Sequence, residues 1–174
     1  MKKLALICLV AFATSAFTII ADDWKKVTVI DKVTVEMPAE PVEVNTNGAP
    51  QKVKKYVAAD SAEITSILLD FGSFGMSEEQ IDGMKETEEF KEQLKMGMTQ
   101  SGGEILSESE GKYKDKHFYY QFDIKSVKDG KTSVSTSRMI FYKAYAVTLV
   151  YKAGKEGENK ELRDKYFNSL VIAE

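Results

Sequence analysis

Residues 138–151 read RMIFYKAYAVTLVY, and eleven of these fourteen are apolar or aromatic in a chain that is 29% charged. Read with a period of two, the run divides at Lys143-Ala144 into two arms. In the first arm Met139 and Phe141 share one face and Ile140 and Tyr142 the other. In the second, Tyr145, Val147, Leu149 and Tyr151 lie opposite Ala146, Thr148 and Val150. Arms that are apolar or small on both sides mark strands covered on both faces. A membrane helix needs about 20 largely uncharged apolar residues in a row, and Arg138 and Lys143 interrupt a run that is shorter than this. The stretch is the middle of a sheet.

Upstream, KHFYYQFDIKS (116–126) alternates in the same way. Phe118, Tyr120, Phe122 and Ile124 face one side, and His117, Tyr119, Gln121, Asp123 and Lys125 the other. Between it and KTSVSTSRMIFY (131–142) lies Asp129-Gly130, the dipeptide that a two-residue hairpin turn prefers. That loop length sets Gln121 opposite Arg138 and Asp123 opposite Thr136, with Arg138 diagonal to Asp123. The diagonal pair reads either as a cross-strand ion pair or as the start of a charged pocket.

Working outward, EILSESEG (104–111) reads as one more strand, and KVKKYVA (52–58) and EITSILLDFG (63–72) as two others. In the last of these, apolar residues fall on both faces (Ile64 and Leu68 against Ile67, Leu69 and Phe71). Near the start, Val27, Val29, Val33 and Val35 alternate with polar residues as a strand, ended by Pro38 and Pro41. NTNGAP (45–50) is a turn. Ser77 to Gln80 fits a capping box, followed by a helical stripe of Ile81, Met84, Phe90, Leu94 and Met98. Gly83 weakens that helix, so a break is expected near 83–87, and SGG (101–103) stops it. After GENKE (157–161) a last helix carries Leu162, Tyr166, Phe167 and Leu170 as its apolar stripe. The pattern predicts an α+β domain, an antiparallel sheet meander packed between helices in α/β/α layers.

The tryptophan at position 24, VTVEMP ending at Pro38, the strand meander and the terminal YAVTLVYKAG…ELRDKYFNSLVI together resemble the secreted branch of the PsbP-like fold group. In that group a Tyr-x-Leu/Val strand precedes a helix ending in a Phe-x-Ser-Phe/Leu element, here Phe167-Asn168-Ser169-Leu170. Lys143-Ala144 stands where the group often has a glycine-containing turn. The group includes photosystem extrinsic subunits, a Ran-binding nuclear import factor and many bacterial envelope proteins. The resemblance implies an antiparallel sheet between helices and a non-enzymatic binding or assembly subunit. It carries over no functional residue.

The chain opens MKKLALICLVAFATSAFTIIADDW, with two lysines, an uncharged run from Leu4 to Ala21, then Asp22 and Asp23. This order is that of a secretory signal peptide over residues 1–21, cut after Ala21, with a cut after Ala16 or an uncleaved anchor as alternatives. The expected domain is 22–174, in the periplasm or outside the cell, with no stable transmembrane span once the leader is removed. Cys8, the only cysteine, is preceded by too short an apolar region for a lipoprotein, and cleavage leaves no thiol. Removing 21 residues from 174 leaves 153, one domain's worth. Without Lys2 and Lys3, 22 basic residues face 27 acidic ones, a net charge of −5. With arginine only at positions 138 and 163 and no basic face, nucleic acid is not the expected partner.

Catalytic chemistry finds little support. His117 is the only histidine, no Gly-x-Ser-x-Gly elbow is present, and GSFG (72–75) lacks the lysine and spacing of a phosphate loop. One histidine cannot make a zinc site, and a lone strand histidine reads as a surface residue. Met96 and Met98, with Met84 and Met76, invite a soft copper site, but Met84 and Met98 fall on the apolar stripe, where methionine fills core space. Glu78, Glu79, Asp82, Glu86, Glu88, Glu89 and Glu92, relieved by Lys85, Lys91 and Lys95, read as a solvated helix face. No catalytic, cofactor-binding or metal residue is therefore nominated. The expectation is a non-catalytic module binding another envelope protein or a small ligand. The alternative is an envelope hydrolase using scattered carboxylates, which would show two facing carboxylates of raised pKa in a cleft.

Overall fold

A computed structural model describes residues 24–100, 102–128 and 130–173. The expected leader, with Cys8 and the cleavage position, lies outside the described residues.

The valines at the start form not one strand but a hairpin, β1 (Lys25–Ile30) and β2 (Val33–Met37). It turns through Lys32 with a left-handed φ of 65°. Pro38 and Pro41 follow, and then come β3 (Val42–Val44), β4 (Gln51–Val57) and β5 (Glu63–Asp70). Asp70 caps a 3-10 turn over Phe71–Phe74. The capping box at Ser77 forms as expected and opens α1 (Glu78–Met84), and Thr87 caps α2 (Glu88–Thr99), so the break falls where Gly83 weakens the helix. Four long strands then run on, β6 (Gly103–Tyr113), β7 (His117–Lys128), β8 (Lys131–Tyr142) and β9 (Tyr145–Lys152). The chain closes with α3 (Lys160–Asn168) and a short β10 (Val171–Ile172).

The large sheet is antiparallel, in the order β3-β4-β5-β9-β8-β7-β6. It is two meanders sewn together where β5 pairs with β9, Ile64 opposite Tyr151 and Leu68 opposite Val147. The register expected from the Asp129-Gly130 turn holds, with Gln121 opposite Arg138 and Asp123 opposite Thr136. Across the Lys143-Ala144 turn the structure sets Tyr142 opposite Tyr145. Lys143 takes a left-handed φ of 53° there, the conformation for which glycine is the usual choice. A second sheet, β1-β2-β10, stands apart.

Alternation along the strands feeds two cores. On one face Ile64, Leu68, Ile140, Val147, Leu149 and Tyr151 meet Val27, Val33, Val35 and Met37 of the small sheet and Leu162, Tyr166 and Phe167 of α3. On the other, Phe118, Tyr120, Phe122, Phe141 and Ala146 meet Phe71, Ile81 and Phe90, with Met84, Leu94 and Met98 packed alongside. The layers are thus α1 and α2, the large sheet, then α3 with the small sheet. Among the described residues no helix is long and apolar enough to cross a membrane.

Candidate functional site

On the α3 side of the sheet the layer above is incomplete, because α3 and the small sheet leave part of β6, β7 and β8 uncovered. A β-bulge in β6 falls between Ile105, opposite Ile124, and Ser107, opposite Asp123. The extra residue, Leu106, is 50% exposed and shares with Ser107 the lining of a cavity of about 560 Å³. The floor is Asp123, Thr136 and Tyr151, and the apolar wall is Leu106, Val134 and Ala153. The far wall is the β9–α3 connection and the first turn of α3, with Gly154, Gly157, Glu158, Lys160 and Arg163.

Local contacts hold that wall over the sheet. The Tyr151 hydroxyl accepts from the Asn159 N–H at 2.7 Å, and the Asn159 side chain caps α3 by accepting from the Leu162 N–H at 2.9 Å. Burial pushes the Tyr151 phenol up and outweighs the Asn159 hydrogen bond, so it stays a neutral hydroxyl. At the rim, Gly154 lets the connection close on the β4–β5 loop: a Cβ there would lie 2.6 Å from Asp60 Oδ2 and 2.8 Å from the Ala62 nitrogen.

The charges divide unevenly. Asp123 accepts from the Ser107 hydroxyl on Oδ2 and the Thr136 hydroxyl on Oδ1, each at 2.6 Å. The ion pair or charged pocket that the sequence offered for Arg138 and Asp123 does not form. Arg138 donates its Nε instead to Gln121 Oε1 at 2.9 Å. Its guanidinium lies between two rings, 5.3 Å from the Tyr119 centroid and 4.9 Å from that of Phe167. The reason is that α3 brings Phe167 onto the strand face, and the planar cation stacks there while its Nε holds the cross-strand amide. Arg163 is neutralised twice, by Glu158 through Nη1 and by Asp164 at 2.9 Å.

Two carboxylates line the cavity, but Glu158 is held by Arg163 and Asp123 by its two hydroxyls, so neither has the arrangement of an acid–base pair. Among the described residues the carboxylates with displaced proton affinity are Glu63, Glu79 and Glu108, and all are displaced downward. His117 lies outside the cavity, edge-on to Tyr142 at 5.7 Å, and burial lowers its pKa. Met76, Met84 and Met98 pack on the second core, whereas Met96 is 56% exposed. The acidic residues of α1 and α2 are exposed. Within that face Lys91 and Lys95 reach across to Glu108 and Glu110 of β6.

The sequence matches no family model and no curated protein. Its likeness is to solved structures. Cyanobacterial PsbP (CyanoP) from Synechocystis sp. PCC 6803 superimposes with a TM-score of 0.59 at 10% identity, over 86% of this chain and 92% of that one. The chain has the PsbP-like fold. A protein of unknown function from Pseudomonas aeruginosa superimposes with a TM-score of 0.51 at 12% identity, over 87% of this chain and 98% of that one. At such identities the likeness concerns the backbone and carries no site residue across.

Proposed function

We propose that the protein is an exported, non-catalytic binding or accessory module of the cell envelope, and that its ligand sits in the cavity between the β6–β8 face and the start of α3. The observation that carries this reading is the cavity itself. Its volume of about 560 Å³ is in the range of small-molecule sites, which are concave, partly apolar and supplied with a few fixed polar groups. Here the polar groups are Asp123 with its two hydroxyls, and the apolar ones are Leu106, Val134 and Ala153. The export half of the proposal rests on the leader pattern from Met1 to Ala21.

Native mass spectrometry of the protein isolated from an envelope fraction tests the reading. The wild type should carry a stoichiometric non-covalent adduct. Val134→Trp, which fills the mouth of the cavity from an exposed strand position, should not. A wild type without an adduct, or an adduct kept by Val134→Trp, would count against it.

A further inference from the structure

The two arginines of the 174-residue chain are near enough for Arg163 to act on Arg138, yet they are in opposite electrostatic situations. Arg163 has two carboxylates, and Glu158 and Asp164 outweigh burial to hold its pKa above the ordinary value. Arg138 has no carboxylate within ion-pair distance among the described residues. Burial lowers its pKa; Tyr119, Tyr113 and Asp164 oppose that, and Arg163 adds to it. A guanidinium offers five N–H donors in a planar fork. At Arg138, Nε is spent on Gln121, and the other donors have no acceptor within hydrogen-bond distance among the described residues.

Arg138 is half-buried, and its remaining donors are not among the buried atoms cut off from water, so they are open to a ligand. The side chain is also held in place. Gln121 holds Nε from the neighbouring strand, and the guanidinium carbon lies over the rings of Tyr119 and Phe167. A fork immobilised by its surroundings and short of an acceptor is the arrangement that recognises a planar oxyanion through two parallel hydrogen bonds.

We infer that Arg138, oriented by Gln121, Tyr119 and Phe167, is a binding site for the carboxylate of a monoanionic ligand. One unpaired positive charge matches one negative charge. The Asp164 carboxylate, near enough to act on Arg138, disfavours a phosphate dianion in the same place. The site lies beside the cavity but does not depend on it, since neither Arg138 nor Gln121 lines it.

The test uses the arginine Nε–H signals of the 15N-labelled protein. There are two of them, and Arg163, already paired, is the internal control. Arg163→Lys assigns them. Titration with sodium acetate, against sodium chloride at equal ionic strength, should shift the Arg138 signal saturably and leave that of Arg163 in place. Arg138→Lys keeps the charge but loses the fork, and Arg138→Gln loses both, so acetate shifts at Tyr119 and Gln121 amides should vanish in each. Should Arg138→Gln not fold, the wild-type signal still decides. Acetyl-dialanine with a free or an amidated end distinguishes the sources: tighter binding than acetate, lost on amidation, assigns a peptide C-terminus, and affinity equal to acetate assigns a free organic acid. A shift reproduced by chloride, a shift that survives in the folded variants, or tighter binding of inorganic phosphate than of acetate would overturn the inference.

Discussion

Tyr166 of α3 donates its hydroxyl to the carbonyl of Thr65 in β5 at 2.8 Å, across 101 residues of chain. The ring is fully buried, and burial pushes its phenol well above the ordinary range, so it remains a neutral donor. This bond and the Tyr151–Asn159 bond tie the two ends of the β9–α3 segment to the sheet, and so fix the wall of the cavity. Tyr166→Phe keeps the packing and loses only the donor, at an expected cost of about 1 kcal/mol. Tyr166→Ala also loses the ring, at about 3–5 kcal/mol. Urea melts of the two variants should differ in that order, and similar losses would mean that the hydroxyl, not the ring, anchors α3.

The two faces of β7 provide a second comparison. Phe122 is 1% exposed and lies in the core under α1 and α2, so Phe122→Ala should cost about 3–5 kcal/mol. Lys125 is on the opposite face, paired at 2.9 Å with Glu104, and both side chains are largely in water. Such pairs contribute little, and Lys125→Ala should cost under about 1 kcal/mol. Equal midpoints in denaturant melts would contradict the division of faces.

Acid should weaken the fold in part through Glu63. Burial raises its carboxyl, but hydrogen bonds and charge from Lys55 and Lys152 outweigh it, and the pKa falls below the ordinary 4.5. A carboxyl that binds its proton less readily when folded stabilises the folded state in its ionised form. That contribution is complete above the unfolded pKa and is lost as pH falls through the folded one. Between neutral pH and the acid side of 4.5, the wild type should therefore lose more stability than Glu63→Gln. Parallel pH profiles for the two would remove Glu63 from the account.

The leader makes a prediction at the other end of the chain. Exported protein should begin at Asp22, the first charged residue after the uncharged run. N-terminal sequencing or intact mass reads this directly. An acylated Cys8 in the exported form would overturn both the cleavage position and the exclusion of a lipoprotein.

Much of the sheet was legible because strands buried on both faces read as continuous apolar runs, whose side chains alternate between the two faces. Val147 and Ala146, or Ile140 and Phe141, sort into two cores by their alternation alone. Turn chemistry at Asp129-Gly130 then set the register of β7 on β8. Lys143-Ala144 carries no comparable turn signal, and the β8–β9 register is read from the structure. What stayed hidden was non-local. Val171–Ile172 is too short to show a period, and its pairing with β2 depends on where α3 delivers the chain. Val42–Val44 lies just past two prolines that signal a strand's end, yet it pairs with β4 at the sheet edge, where one unpaired side is tolerated. The partner of Arg138 was misread for the same reason. Strand register placed Asp123 diagonally, but Phe167 arrives from a helix 29 residues later in the chain and offers a ring instead. Leu106 carried no signal at all, because a bulge breaks the alternation that reveals a strand face.

The methionines give the last prediction. Met96 and Met98 are two residues apart on α2, about 200° around a helix of 3.6 residues per turn. The structure agrees with that spacing: Met98 packs on the core that holds Phe122, and Met96 faces water. Two thioethers on different sides of one helix cannot close on one ion without unwinding it. Met98→Leu keeps volume and should cost less than about 1.5 kcal/mol, while Met96→Leu, at a surface position, should stay within about 0.5 kcal/mol. Cu(I) under reducing, anaerobic conditions should leave the melting temperature of the wild type unchanged. Were the methionines ligands, an excess of a hundredfold over the dissociation constant would add about 2.7 kcal/mol and raise the melting temperature, and leucine at either position would remove the rise. A saturable rise that both substitutions abolish would mean that α2 opens to bind metal, and would replace the binding-module reading with one of metal handling.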